Sequence, residues 1–254
     1  MTSRIRIDDG PWPALIGLAG IAALLLLIEG LISIGMINQF ILPKPSQVIG
    51  SFHRVVVEEN VLDRFVLTIK ECLFAVALVT VVGVSIGVLL HRVSLLRQAT
   101  ETWVAAFASA PVVLMYPLFL VMFGRSVLTI VMMGFAAGLP PVILKTIEGL
   151  SSTRRVLLAV GQSFKLTPRQ MFWKIQLPSS LPAIFVGLRL GLIFALINIV
   201  GVEFLINFGG LGQLINDLAE RYDLPGTYAA ISFVVIVSVG FFMIAERAER
   251  WLIR

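Results

Sequence analysis

Charged residues are scarce in this sequence. Only 14% of the 254 residues are Asp, Glu, Lys or Arg, whereas 58% are hydrophobic, and the mean hydropathy is +0.96. A soluble domain needs more charge on its surface than this, so the composition excludes a soluble globular protein. It indicates an all-α polytopic membrane protein with a single domain over residues 1–254.

Cysteine and histidine are nearly absent as well. The single cysteine, Cys72, lies in an apolar run, and the two histidines are His53 and His91. Disulfide and metal chemistry are therefore not indicated. We expect a packing role for Cys72 and no cofactor held by this chain.

Motifs of catalysis are missing or lack their context. No stretch has the form G-x-x-x-x-G-K-S/T, and the glycine-rich residues 209–212 lack its lysine, so the chain is expected not to hydrolyse ATP. Residues 83–87 match the G-x-S-x-G pattern of serine hydrolases, but a nucleophile elbow needs a preceding strand and a histidine base. We interpret Gly83 and Gly87 as a small-x-x-x-small contact between membrane helices.

Six apolar segments are long enough to cross a bilayer. They cover residues 12–37, 65–90, 103–123, 127–144, 181–206 and 228–245. The first is too long for a signal-peptide core and has no small-residue cleavage site at its end, so it is predicted to remain as a span. Bent helices that face the protein interior are predicted for the third and fourth spans, which carry Pro111, Pro117, Pro140 and Pro141.

The basic residues are scattered among the segments between the spans, which does not favour a nucleic-acid partner. With the N-terminus inside, thirteen of them fall in cytoplasmic segments: Arg4, Arg6, Arg92, Arg97, Lys145, Arg154, Arg155, Lys165, Arg169, Lys174, Arg247, Arg250 and Arg254. Six fall outside: Lys44, Arg54, Arg64, Lys70, Arg125 and Arg221. This excess predicts that both termini are cytoplasmic.

The segment 145–180 is the one long polar interruption. Thr167 is a good N-cap residue, Pro168 suits the first helical position, and Gln170 completes a capping box. A short helix of about ten residues is predicted to start there and to end at Leu177 and Pro178.

That helix would carry Met171, Phe172 and Ile175 on one apolar face. Two partners suit such a face: the headgroup region of the bilayer, or a groove on a soluble protein.

Polar residues inside the spans are few. Arg189 is close enough to the cytoplasmic headgroups to reach them. Glu203 either reaches external water or acts as a gate, and the sequence does not identify the partner of Glu29. Ser46 is predicted to cap a helix that follows the first span.

Several motifs resemble those of binding-protein-dependent ABC importer permeases of the nitrate, sulfonate and taurine type. They lie at residues 42–48 (Leu-Pro-x-Pro-Ser-x-Val), 162–164, 175–178 (Ile-x-Leu-Pro) and 181–184. The chain departs from that family at three places: Lys165 replaces a glycine, residues 159–161 replace Glu-Ala-Ala, and Thr-Ile-Lys-Glu at 68–71 replaces Thr-Leu-x-Arg. In that family the segment that corresponds to residues 145–180 is the coupling loop, which docks on the ATPase, and the name is used below for this segment. Lys165 predicts that the coupling loop bends differently here.

The resemblance implies a type I ABC importer permease fold in a bacterial inner membrane. The partners it implies are ABC ATPase subunits that bind ATP and Mg, a second permease subunit in a homodimer or heterodimer, an extracytoplasmic solute-binding protein and membrane lipid. The implied cargo is a small organic or inorganic anion such as a sulfonate, nitrate or an aromatic acid. The ATPase-coupling residues would be Ser163, Phe164, Lys165, Leu166, Thr167, Pro168, Arg169, Gln170, Met171 and Phe172, and the pathway or gate residues Tyr116, Asn198, Glu203 and Asn207.

The alternative from another class is a channel or secondary transporter driven by an ion gradient. Such a protein uses ionisable groups along its pathway, and the spans offer few of them. A membrane enzyme is disfavoured because no base and nucleophile form a constellation.

Overall fold

The computed structural model describes residues 12–252, and within that range every regular element is helical. The basic residues Arg4, Arg6 and Arg254, used above for the orientation, lie outside the described residues. The helices are α1 Trp12–Ser33, α2 Pro45–Glu58, α3 Val61–Arg92, α4 Ser94–Ala108, α5 Tyr116–Phe123, α6 Val127–Ser151, α7 Arg155–Ser163, α8 Pro168–Met171, α9 Leu177–Ile206, α10 Gly210–Glu220 and α11 Leu224–Leu252, with a 3-10 turn at Val112–Met115 and a π turn at Phe172–Gln176.

Five of the predicted spans are single helices. They are α1, α3, α6, the continuous helix Pro168–Ile206 and α11. The third predicted span, 103–123, is bent, as its prolines indicated, because α4 and residues 112–123 meet at an angle of 93°. Pro111 lies in this break, where it has no N–H to donate and disfavours helical geometry in the residue before it. Pro117 occupies the first turn of α5, where the missing N–H costs nothing.

The fourth span is the centre of the bundle. In its most apolar stretch 61% of the residues are buried, against 6% for α1. Pro140 and Pro141 are both buried inside α6, which confirms that this span faces the interior.

Glycines set the distance between the central helices. A Cβ built on Gly87 would lie 2.7 Å from Thr146 Cγ2 and 3.1 Å from the Ile143 carbonyl oxygen, and one on Gly83 would lie 2.9 Å from Val142. The predicted small-x-x-x-small contact is therefore the crossing of α3 and α6. Cys72 is fully buried in the apolar cluster with Ile130 and Met133, which confirms its packing role.

The end of the bundle opposite the coupling loop is closed by α2 and α10. Their apolar faces pack against α3 and α11 around Val61, Leu211 and Leu214. Ion pairs lie over this cluster: Arg54 with Asp223, Arg64 with Asp217 at 2.9 Å, and Arg221 with Glu59 at 2.7 Å.

Glu29 binds the first turn of α2. Its carboxylate accepts hydrogen bonds from the Ser46 N–H at 3.0 Å and the Ser46 hydroxyl at 2.7 Å. Ser46 is therefore not the N-cap predicted from the sequence, because the helix begins at Pro45. A carboxylate at this position also complements the positive end of the helix dipole.

Candidate functional site at the coupling loop

The start of α8 matches the sequence prediction. Thr167 Oγ1 accepts a hydrogen bond from the Gln170 N–H at 3.3 Å, and Gln170 Oε1 accepts one from the Thr167 N–H at 2.9 Å. Pro168 takes the first helical position. The capping box is confirmed, because the bonds that define it are local.

The predicted end of this helix is wrong. Beyond α8 the chain makes the π turn Phe172–Gln176 and passes directly into α9, so Pro168–Ile206 is one helix of 39 residues. In a regular α-helix the Pro178 ring would meet the carbonyl four residues earlier. The π turn immediately before it widens the helix at that point, which lets the helix continue past the proline.

The turn between α7 and α8 keeps a left-handed residue at Lys165, whose φ is +51°. The Lys165 N–H donates to the Gln162 carbonyl at 2.8 Å, and the Leu166 N–H donates to the Gly161 carbonyl at 3.0 Å. These two bonds form a Schellman motif, the helix ending that glycine favours. The prediction that Lys165 makes the loop bend differently is therefore wrong.

The apolar face of α8 and the π turn is covered by the chain itself. Phe172 is 5% exposed, with the Arg92 guanidinium 4.3 Å from its ring centroid. Met171 and Ile175 pack over Gly161, where an added Cβ would lie 2.7 Å from both. The interpretation that Met171 and Phe172 enter a groove on another protein is therefore revised.

Other side chains of the coupling loop are open to a partner. Phe164 is 76% exposed and Trp173 57% exposed. Phe164 directly follows the end of α7, before the Lys165 turn, and Trp173 lies after that turn, in the π turn. Of the remaining predicted coupling residues, Leu166 is half-buried, whereas Ser163, Lys165, Thr167, Pro168, Arg169 and Gln170 are exposed.

A basic cavity adjoins these side chains. It has a volume of about 720 Å³ and is lined by His91, Arg92, Pro168, Arg169, Phe172, Trp173 and Gln176. No acidic residue lines it in the described part of the chain, and neither arginine forms a salt bridge there. Apolar and cationic groups thus share one accessible surface. Neither Arg92 nor Trp173 was among the site residues predicted from the sequence, although Arg92 ends a span beside the loop.

The predicted pathway residues lie on two elements, with Tyr116 at the start of α5 and the others along α9 and at its end. Tyr116 is half-buried against the central cluster. Asn198 is buried and its Nδ2 donates to the Phe194 carbonyl at 2.9 Å. Asn207 ends α9 in a left-handed conformation with φ +51°.

Glu203 is fully buried, so the expectation that it reaches external water is wrong. Its carboxyl group accepts hydrogen bonds from the Thr68 hydroxyl at 2.7 Å and from the Gly212 N–H at 2.8 Å. It thereby joins α9 to α3 and to the start of α10. A gate role for Glu203 stays a prediction.

Arg189 forms an ion pair, which the headgroup interpretation did not foresee. Its guanidinium lies 3.2 Å from the Glu249 carboxylate and 5.3 Å from the ring centroid of Phe242. Both partners belong to α11, so Arg189 connects α9 to α11.

Comparison with known proteins places the chain in a family. The profile described as "Binding-protein-dependent transport system inner membrane component" matches residues 79–254. The chain is 26% identical over 232 residues to the formylaminopyrimidine transport permease protein ThiX of Halalkalibacterium halodurans, covering 91% of this chain and 92% of that protein. It is also 26% identical to the riboflavin transport system permease protein RibX of Chloroflexus aurantiacus, covering 100% of this chain and 95% of that protein.

The fold is shared with a solved transporter. An inward-facing structure of the MetNI methionine ABC transporter superposes with a TM-score of 0.66 at 21% identity, covering 76% of this chain and 97% of that chain. The match supports the type I importer permease fold expected from the sequence. The chain belongs to the family of binding-protein-dependent transport system inner membrane components, the membrane permeases of ATP-driven importers.

Proposed function

We propose that this permease docks a separate ATPase subunit on its coupling loop and does no catalysis itself. The observation that supports this most is the continuous 39-residue helix Pro168–Ile206, which is roughly 60 Å long. One end is fixed by the Thr167 capping box and the other reaches Glu203 between α3 and α10. A displacement at the coupling loop would therefore move the core of the bundle as a rigid element.

Phe164 and Trp173 are the groups that such a partner would contact. They combine large exposed apolar surfaces with the arginines of the basic cavity, a composition typical of protein interfaces. Met171 and Phe172 then have a supporting role, because Met171 packs on Gly161 of α7 and Phe172 packs on Arg92 at the end of α3. ATP and Mg would be held by the ATPase subunits.

The remaining assembly follows from the family. We propose two permease subunits, identical or different, two ATPase subunits and an extracytoplasmic solute-binding protein, in a bacterial inner membrane with both termini cytoplasmic. In this orientation α2 and α10, with their ion pairs, face the binding protein. The excess of basic residues at the coupling-loop end supports this orientation.

The cargo is proposed to be a small solute that the binding protein selects. The names of two relatives, for a formylaminopyrimidine and for riboflavin, add nitrogen heterocycles to the small anions expected from the sequence. A panel of both classes, offered to the matching binding protein, would separate them.

The docking proposal is tested by Phe164→Asp. Burying a phenylalanine contributes about 1.5–3 kcal/mol, and each 1.4 kcal/mol is about tenfold in affinity, so the variant should bind its ATPase about 10- to 100-fold more weakly and lose substrate-stimulated ATP hydrolysis. Phe40→Asp is the matched control, because Phe40 is similarly exposed, at 80%, near the opposite end of the bundle.

Co-purification and ATPase assays of the assembled complex measure both effects. Equal retention of the ATPase by the two variants would contradict docking at Phe164. If the purified permease alone carried out uptake driven by an ion gradient, the secondary-transporter alternative would replace the proposal.

A further inference from the structure

Two carboxyl groups are buried side by side within the bundle, on α3 and on α9. Glu71 and Glu203 are each 0% exposed. Glu71 lies about one helical turn after Thr68, whose hydroxyl donates to Glu203 Oε1 at 2.7 Å, so the two carboxyl groups are neighbours across the contact of α3 with α9. They lie at the end of the bundle that α10 closes, away from the coupling loop. Neither the family assignment nor the docking proposal uses this contact.

The two carboxyl groups differ in their hydrogen bonds. Glu203 Oε1 accepts from the Thr68 hydroxyl and its Oε2 accepts from the Gly212 N–H, so it is suited to carry a negative charge. Neither oxygen of Glu71 has a hydrogen-bond donor among the described residues. A carboxylate buried without a donor is strongly unfavourable, whereas a carboxylic acid at this place can donate its proton to Glu203.

Among the described residues, no arginine, lysine or histidine forms an ion pair with Glu71 or Glu203. The described arginines and lysines that form salt bridges do so with other acids, and the nearest basic residues along α3 are Arg64, bound to Asp217, and Lys70, which is exposed. The groups that the start of α10 directs at this site are the N–H groups of Leu211 and Gly212, which bind Thr68 and Glu203. From α6, apolar side chains such as Ile130 and Met133 pack with Cys72, the residue after Glu71.

We propose that Glu71 and Glu203 form a proton-binding site. One proton resides on the Glu71 carboxyl group and is donated to the Glu203 carboxylate, so the pair carries one negative charge. Thr68 and the Gly212 N–H stabilise that charge.

The site connects protonation to packing. Glu203 binds the start of α10 through the Gly212 N–H and binds α3 through the Thr68 hydroxyl. That hydroxyl also accepts a hydrogen bond from the Leu211 N–H of α10 at 2.9 Å. A proton between Glu71 and Glu203 therefore holds α3, α9 and α10 together. Release of the proton would leave two negative charges in contact and would separate these helices. The closure of this end of the bundle is thus sensitive to pH.

Infrared spectroscopy of the complete transporter in lipid nanodiscs tests the proposal. At neutral pH the wild-type protein should show the C=O band of a protonated carboxylic acid, and Glu71→Gln should lose it. The matched control Glu58→Gln, at an exposed carboxylate on α2 that forms no salt bridge in the described chain, should leave the band unchanged. In the wild type the band should weaken as the pH rises.

A second variant covers the case in which Glu71→Gln does not fold. Glu203→Gln replaces the acceptor of the proton, so the acid band should move in frequency. A spectrum with no acid band at neutral pH, or a band that persists unchanged in Glu71→Gln, would overturn the proposal. A missing band together with a melting temperature that rises with sodium concentration would also overturn it, by assigning the neutralising charge to a metal ion.

Discussion

Replacing Lys165 by glycine should stabilise the coupling loop. A side chain in the left-handed conformation costs roughly 1–2 kcal/mol, whereas glycine has no such penalty. Glycine loses more conformational entropy on folding, which offsets roughly 0.5–1 kcal/mol of that gain. The net stabilisation of the Schellman motif is therefore expected to be about 1 kcal/mol.

Hydrogen exchange at the Lys165 and Leu166 amides reports this directly, because their N–H groups close the motif. A stabilisation of about 1 kcal/mol slows exchange through local opening about fivefold. Lys165→Ala is the matched control, since it removes the charge and the long side chain but keeps a Cβ at φ +51°. If Lys165→Ala gives the same protection as Lys165→Gly, the left-handed backbone is not the cause and the reasoning fails.

Two further substitutions test the packing of the helices through the melting temperature of the purified protein. Gly87→Ala should destabilise the protein by about 1–3 kcal/mol, because the new methyl group meets Thr146. The control Gly17→Ala should leave the melting temperature unchanged, because nothing lies within 4 Å of an added Cβ there. Equal effects of the two substitutions would refute the close crossing of α3 and α6. Ser46→Ala removes the hydroxyl hydrogen bond to Glu29 and should cost about 0.5–1.5 kcal/mol, while an unchanged melting temperature would show that this contact does not hold α1 to α2.

Local patterns in the sequence were sufficient for the features that depend on neighbouring residues. The Thr167 capping box and the contact of Gly83 and Gly87 were predicted correctly, because hydrogen bonds over three residues and spacing along one helix determine them. The end of a helix at Pro178 was predicted wrongly, since the rule for proline assumes the regular α-helical spacing that the π turn changes.

Contacts between distant segments could not be predicted in the same way. Glu203 is 135 residues from Thr68, and nothing in the sequence near it shows that a threonine and the start of α10 surround it. Phe172 looked available to a partner because its helix was considered alone, whereas Arg92 and the π turn bury it. The family resemblance supplied the fold, but it did not show which face of the coupling loop is open.

The π turn also sets a rotational phase. A π turn is an α-helix with one residue more than its neighbours need, and one residue corresponds to about 100° around a helix axis. The five residues Phe172–Gln176 therefore fix the direction in which α8 points relative to α9. The angle at which this permease presents its docking surface, as distinct from the chemistry of that surface, depends on a single inserted residue.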